Sequence, residues 1–252
     1  MERVINEILH DNGKIAKRQS FLGAKLDGPS EVFDEEGRLI EEHHYVAGAL
    51  HGKSISYHPN GKRARELDYI NGLKDGELRV LDENGKPVQR FRFKDNQMHG
   101  KCQTFAEGAL NASMDYHKGL IHGELLTYDP NGTIIGRMLY KQGIQEGPSL
   151  YYDNQGRLLK KTQFKAGKEH GESISYHANG KINEKLSFHE GLPHGPYNQF
   201  DKAGKLLRQL TYQNGKLAQK LEKKESEPKE DSKTSKIVKK GVWGLIRSWL
   251  KI

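Results

Sequence analysis

Five histidines, His51, His99, His122, His170 and His194, each stand directly before a glycine. A set of imidazoles is the first place to look for metal or acid-base chemistry. The spacing argues against a shared ion: positions that recur every two strands lie about 9.6 Å apart, whereas zinc needs its donors about 2.1 Å away. Each histidine is therefore expected to pack or hydrogen-bond in its own loop. His43 and His44 are adjacent, and on a strand they would point to opposite faces. The single cysteine, Cys102, excludes an internal disulfide and fits a reducing compartment. Stretches such as "NGLKDG" and "KGLIHG" look like phosphate-cradling loops, but they recur at turn positions and open no helix. No nucleophile elbow, phosphate loop or Cys/His set is found, so the expectation is no enzyme activity, no cofactor and no metal.

The elements that carry these residues repeat. Turn dipeptides such as Asn12-Gly13, Glu36-Gly37, Asn60-Gly61, Asn84-Gly85, Glu107-Gly108 and Asn131-Gly132 place their glycines 24 residues apart, with one step of 23. A second series, Gly28, Gly52, Gly76, Gly100, Gly123, Gly147, Gly171 and Gly195, keeps the same spacing and the same short step. Between the markers the chain alternates with period two, as in Leu67-Asp68-Tyr69, which means strands. One aromatic column runs through Tyr45, Tyr69, Phe93, Tyr116, Tyr140, Phe164, Phe188 and Tyr212; another runs through Phe33, Tyr57, Tyr128, Tyr152, Tyr176 and Phe200.

Asn-Gly between alternating segments predicts type I′ hairpin turns, with a longer connection at the "NGLKDG" type of loop. The fold class is all-β, an elongated antiparallel meander of up to about eighteen strands at roughly 4.8 Å spacing. One face carries Leu67, Phe91, Met114, Met138, Leu186 and Leu210, and the other Glu66, Arg90, Arg137, Lys161 and Lys185. A sheet of this many strands must curl or be covered.

The pattern in "YHPNGKRARELDYINGLKDG" and "YHANGKINEKLSFHEGLPHG" resembles the MORN repeat, in the bacterial variant found in proteins labelled YwqK-family antitoxins. The resemblance covers about residues 4 to 218. It implies rows of β-hairpins in long grooved sheets, binding to proteins or membranes rather than chemistry, and, through the antitoxin label, a toxin-neutralising role. Two departures stand out. One residue is missing between Lys101 and Leu110, where "AEGA" replaces the Asn-Gly-Lys turn, and Asn96 replaces the usual glycine.

The formal charge is +8, with only 34% hydrophobic residues, 28 Gly and 11 Tyr. From Lys220 onward ten Lys/Arg face five Asp/Glu, so the excess sits in the tail and the body is nearly neutral. That is not the clustered cationic face of a nucleic-acid protein, so no nucleic-acid partner is expected. Three regions follow: a repeat domain of about nine units over residues 1–219, a charged flexible linker over 220–236, and a cationic amphipathic helix over 237–252. In the helix Val242, Trp243, Leu245, Ile246, Trp249 and Leu250 would form the apolar contact surface, with Lys239, Lys240, Arg247 and Lys251 as its cations. Such a helix can lie in an anionic membrane interface, fold back on the sheet, or enter a partner's groove.

The repeat break at Cys102, Phe105 and Gly108 is the second candidate, read either as a shorter turn or as a kink that shapes a concavity. Neither the N-terminal stretch nor any later segment is apolar enough for a signal peptide or membrane span. The expected protein is a cytoplasmic antitoxin, immunity or accessory protein that masks a co-produced toxin or secreted effector. A phospholipase is the kind of target the tail would suit. The alternative is a peripheral membrane scaffold at the inner face of the membrane.

Overall fold

The computed structural model describes residues 2–221, which form one continuous antiparallel sheet. Twenty-two strand segments run from Arg3–Leu9 to Lys216–Leu221. Three of them, Ala49–Leu50, Gln97–Met98 and Ile144–Gln145, are two-residue pieces that lead into the next strand, so the meander has nineteen strands. The last one carries the sheet two residues past the expected end at 219.

The two kinds of turn are the reverse of the sequence expectation. Type I′ geometry, with positive φ at both central residues, occurs at Ala47-Gly48, Asn71-Gly72, Lys118-Gly119 and Glu190-Gly191, within the loops expected to be long. Asn60-Gly61 belongs to a five-residue turn instead. There His58 N donates to Lys62 O at 2.8 Å and Gly61 N to His58 O at 2.8 Å, and Gly61 has φ of 78°. This is a type I turn closed by a left-handed glycine, the usual three-residue hairpin. Asn-Gly fits either turn, and Pro59 pre-sets the φ that the type I turn needs here.

The second glycine series lies within strands, not at turns. Each of these glycines faces an aromatic of the first column: Gly28 faces Tyr45, Gly52 Tyr69, Gly76 Phe93, Gly100 Tyr116 and Gly171 Phe188. The second glycine series and the first aromatic column are thus the two halves of one cross-strand pair. Pairing with the preceding strand shifts beside the glycine, as between Leu67 and Tyr69 opposite Gly76, where φ is +132°. A Cβ at Gly76 would stand 2.6 Å from the Asp68 Cβ, so both conformation and space demand glycine.

Register places one row across the middle of the sheet: Ser30, His43, Ser54, Leu67, Leu78, Phe91, Cys102, Met114, Leu125 and Met138, continued by Ser149, Thr162, Ser173, Leu186, Tyr197 and Leu210. This row is the core. Cys102 is 0%, Met138 1% and Leu67 2% exposed, so neighbouring side chains close over the row. Where the row turns polar it satisfies itself: the Thr162 and Ser173 hydroxyls lie 2.9 Å apart, and Gln145 donates to Ser149 Oγ at 2.7 Å.

Burial raises the pKa of Tyr116, Tyr140 and Tyr151, the tyrosines beside this row. The second aromatic column lies on the other face, next to Glu66, Arg90 and Arg137, so each face has its own aromatics near opposite edges.

Candidate functional site

One long edge of the sheet is stitched from turn to turn, and the other is stitched at three pairs of turns. Along the type I′ edge each turn donates a backbone N–H to the turn before it, as Gly72 N to Leu50 O at 2.7 Å and Gly143 N to Ile121 O at 2.8 Å. Asn96, which replaces a glycine here, holds φ of 64° and donates its N–H to Lys74 O, while its side-chain oxygen accepts from Lys74 N at 2.8 Å. Asparagine tolerates the left-handed region and adds one bond to the edge, which explains the departure.

Along the other edge the long turns are of two chemical kinds. Turns opening with histidine donate three side-chain hydrogen bonds to the next turn. His58 Nε2, Asn60 Nδ2 and Lys62 Nζ reach the carbonyls of Leu81, Glu83 and Asn84 at 3.0, 2.8 and 3.4 Å. His10, Asn12 and Lys14 do the same toward Phe33, Glu35 and Glu36, and His177, Asn179 and Lys181 toward Phe200, Lys202 and Ala203.

Turns opening with aspartate close on themselves. The Asp153 carboxylate accepts from Arg157 N and Gln155 N, and that of Asp201 from Lys205 N and Ala203 N, which holds both carboxyls below the ordinary range. These histidines, His10, His58 and His177, were not singled out in the sequence. The signal was their place two residues before the Asn-Gly pair.

The repeat break is absorbed in its turn. Gly100 faces Tyr116 and Cys102 faces Met114, the same register as Gly52 with Tyr69 and Ser54 with Leu67 two periods earlier. Glu107-Gly108 forms a two-residue type I′ turn, with φ of 53° and 88°, in place of the three-residue turn used elsewhere. Pairing shifts register once, between Thr104 and Phe105, as it does between Ser56 and Tyr57 before the longer turn. Cys102 is fully buried, and burial raises its thiol pKa, so it is a core residue. Phe105 faces Leu110 beside the short turn.

The histidines before glycine do not stand alone, as period counting supposed. His117 lies between His99 and His122, with ring centroids 5.1 and 6.1 Å apart, and His189 lies between His170 and His194 at 5.1 and 5.8 Å. Intervening strands supply these middle rings. Among the described residues, no group of three or more His, Cys, Asp or Glu is arranged to hold a metal ion. His43 and His44 do diverge: His43 bonds Ser54 on the core face, and His44 lies 3.2 Å from the His51 carbonyl.

Charges on the outer face are matched locally. Arg18 bonds Glu7 and Glu31 at 2.9 and 3.1 Å, Arg79 and Arg90 share Glu77, and Lys185 meets Glu172 at 2.6 Å. Tyr57 donates its hydroxyl to Glu42, and burial together with that bond pushes its pKa up to about 12. The tail candidates, Val242, Trp243, Leu245, Ile246, Trp249, Leu250, Lys239, Lys240, Arg247 and Lys251, lie outside the described residues.

The MORN repeat variant family model matches five segments, residues 26–47, 50–71, 121–142, 169–190 and 193–214. The units between 72 and 120, which include the break, are not among them. No curated protein matches. Solved structures with some likeness include that of TcdB2-TccC3-Cdc42, at 11% identity over 88% of this chain and 16% of that one, TM-score 0.18. Another is the Photorhabdus luminescens Tc holotoxin pore, at 10% identity over 82% and 15% of the two chains, TM-score 0.17. The chain thus spans about a sixth of those chains, and likeness at this level carries no argument about fold or function.

Proposed function

We propose that this chain is a non-enzymatic, cytoplasmic binding scaffold that neutralises a co-produced toxin or secreted effector by covering its active or membrane-binding surface, as an antitoxin or immunity protein does. The observation that carries this reading is the continuous sheet, stitched along its type I′ edge and at three pairs of turns on the other. Such a surface is formed before the partner arrives, so little ordering entropy is lost on binding. The five MORN repeat variant segments support a binding role, and the pairing of outer-face cations with carboxylates speaks for a protein rather than a nucleic acid. Capture with the product of the neighbouring reading frame tests the proposal. Stable co-purification is expected; a neighbour that is neither toxin-like nor secreted, and is not captured, would sink it.

A second reading is favoured by the tail's composition. Trp243 and Trp249 among aliphatic residues, with Lys239, Lys240, Arg247 and Lys251, suit a peripheral anchor at an anionic membrane surface. Full-length protein should float with anionic liposomes, and the Trp243→Ser/Trp249→Ser chain should not. Equal flotation of the two removes the tail from the membrane reading.

A further inference from the structure

The ladder of side-chain donors along the long-turn edge joins three pairs of turns among the described residues, and the turn at the repeat break is one that supplies no donor to the turn after it. In the three laddered pairs, the acceptors are the carbonyl before the aspartate (or its equivalent) and those one and two residues after it. On the turn that opens with Asp129 the same carbonyls belong to Tyr128, Pro130 and Asn131. The turn that should supply their donors is Ala106-Glu107-Gly108-Ala109, whose side chains contain no hydrogen-bond donor. A cavity of about 430 Å³ opens between the two turns; its lining includes Ala106, Glu107, Leu110, Asn111, Asp129 and Pro130. Its size falls within the roughly 300–1,000 Å³ of ordinary ligand pockets. On the opposite flank of the short turn Lys86 lies against Gly108, its side-chain carbons 3.3 to 3.5 Å from where a Cβ would stand.

We propose that this cavity is a docking point for a basic loop of a protein partner, whose arginine or lysine, set beside an aliphatic residue, takes the place of the absent turn donors. The carbonyl oxygens call for a donor and repel an acceptor. Glu107 is exposed and carries a negative charge at the rim; the Asp129 carboxylate, held by Asn131 N at 3.0 Å and Thr133 N at 2.8 Å, adds a second below it. Leu110, Ala106 and the Pro130 ring supply an apolar wall for the methylene stem of a long cationic side chain. The chemistry wanted is that of the missing His-x-Asn-Gly-Lys turn, delivered in trans. This inference rests on the reading of the chain as a protein-binding scaffold and names where on it a partner engages.

The test uses the full chain, isotope-labelled, titrated with acetyl-Leu-Arg-Leu-amide to about 10 mM, since a single desolvated contact of this kind gives affinities near the millimolar range. Amide shifts are expected at residues 107–112 and 128–133 and nowhere along the Asp82 turn, whose carbonyls are already taken; acetyl-Leu-Glu-Leu-amide should produce none. Replacing Ala106–Ala109 with His-Pro-Asn-Gly-Lys restores the missing residue and its donors, and should abolish the shifts. Glu107→Gln, which leaves the turn as it is, should weaken binding about two- to fivefold, as for one exposed charge pair. Absence of shifts at those amides, equal shifts with the acidic peptide, or undiminished binding in the refilled turn would overturn the proposal. A partner captured equally by native and refilled chains would also overturn it while leaving the scaffold reading intact.

Discussion

Replacing Leu67 by alanine strikes the core row at its most buried leucine. Leu67 is 2% exposed, faces Ser54 on one side and Leu78 on the other, and lies on the same strand as Ile70, which is 47% exposed. Losing three buried carbons removes about 2.4 kcal/mol of transfer free energy at ~0.8 kcal/mol each. The unfilled space adds a cavity contribution, bringing the total to about 2.5–5 kcal/mol. Ile70→Ala deletes the same number of carbons from a half-exposed site and should cost about 1 kcal/mol.

In a repeat array stability is approximately a sum of unit and nearest-neighbour contributions, so the damage should be local before it is global. Equilibrium unfolding in urea followed by far-ultraviolet circular dichroism measures the sum, and amide hydrogen exchange should show protection lost first between Gly52 and Leu81. If Leu67→Ala costs no more than Ile70→Ala, the row is not a core.

Gly76→Ala meets both a forbidden φ and a 2.6 Å approach to Asp68 and should cost about 2 kcal/mol or more, whereas Gly61→Ala, with open space around it, should cost only about 1 kcal/mol for its left-handed φ; equal melting temperatures would contradict this. Cys102 should resist a thiol reagent until the sheet unfolds, and rapid modification of the native chain would refute its burial. Asp153 and Asp201 have pKa values lowered mainly by backbone N–H donors, so their contribution is present above the unfolded value near 3.8 and is lost as pH falls through the lower folded values. Asp153→Asn/Asp201→Asn should flatten the fall in melting temperature below about pH 4. Tyr57 runs the other way: its pKa of about 12 exceeds the unfolded 10, so its contribution is full below pH 10 and is lost as pH rises through 12, and a tyrosine absorbance titration should show a late-ionising group that Glu42→Gln shifts part of the way down, burial being the larger cause.

Period and alternation were legible because they are local: a glycine every 24 residues and apolar side chains every second residue specify hairpins and a two-faced sheet without any long-range knowledge. The row through Leu67, Phe91, Met114, Met138 and Leu210 could be read from one strand's pattern, since alternation decides the face. The turn types could not, because Asn-Gly serves both kinds of hairpin and the choice depends on where the strands stop pairing. The histidine trios were missed for a related reason: counting equivalents every 24 residues skips the strand between them, which supplies His117 and His189.

What the sequence alone determined, then, is a β-hairpin array with one dry face, a shortened unit around Glu107-Gly108, and a charged tail of different composition. Only the tertiary structure decided that each strand glycine is the partner of an aromatic, that the missing residue is absorbed by a change of turn rather than a kink, and that histidine-led turns donate to aspartate-led ones. These relations join residues on neighbouring strands or some 22 to 24 positions apart. They exist only once register has brought those residues side by side.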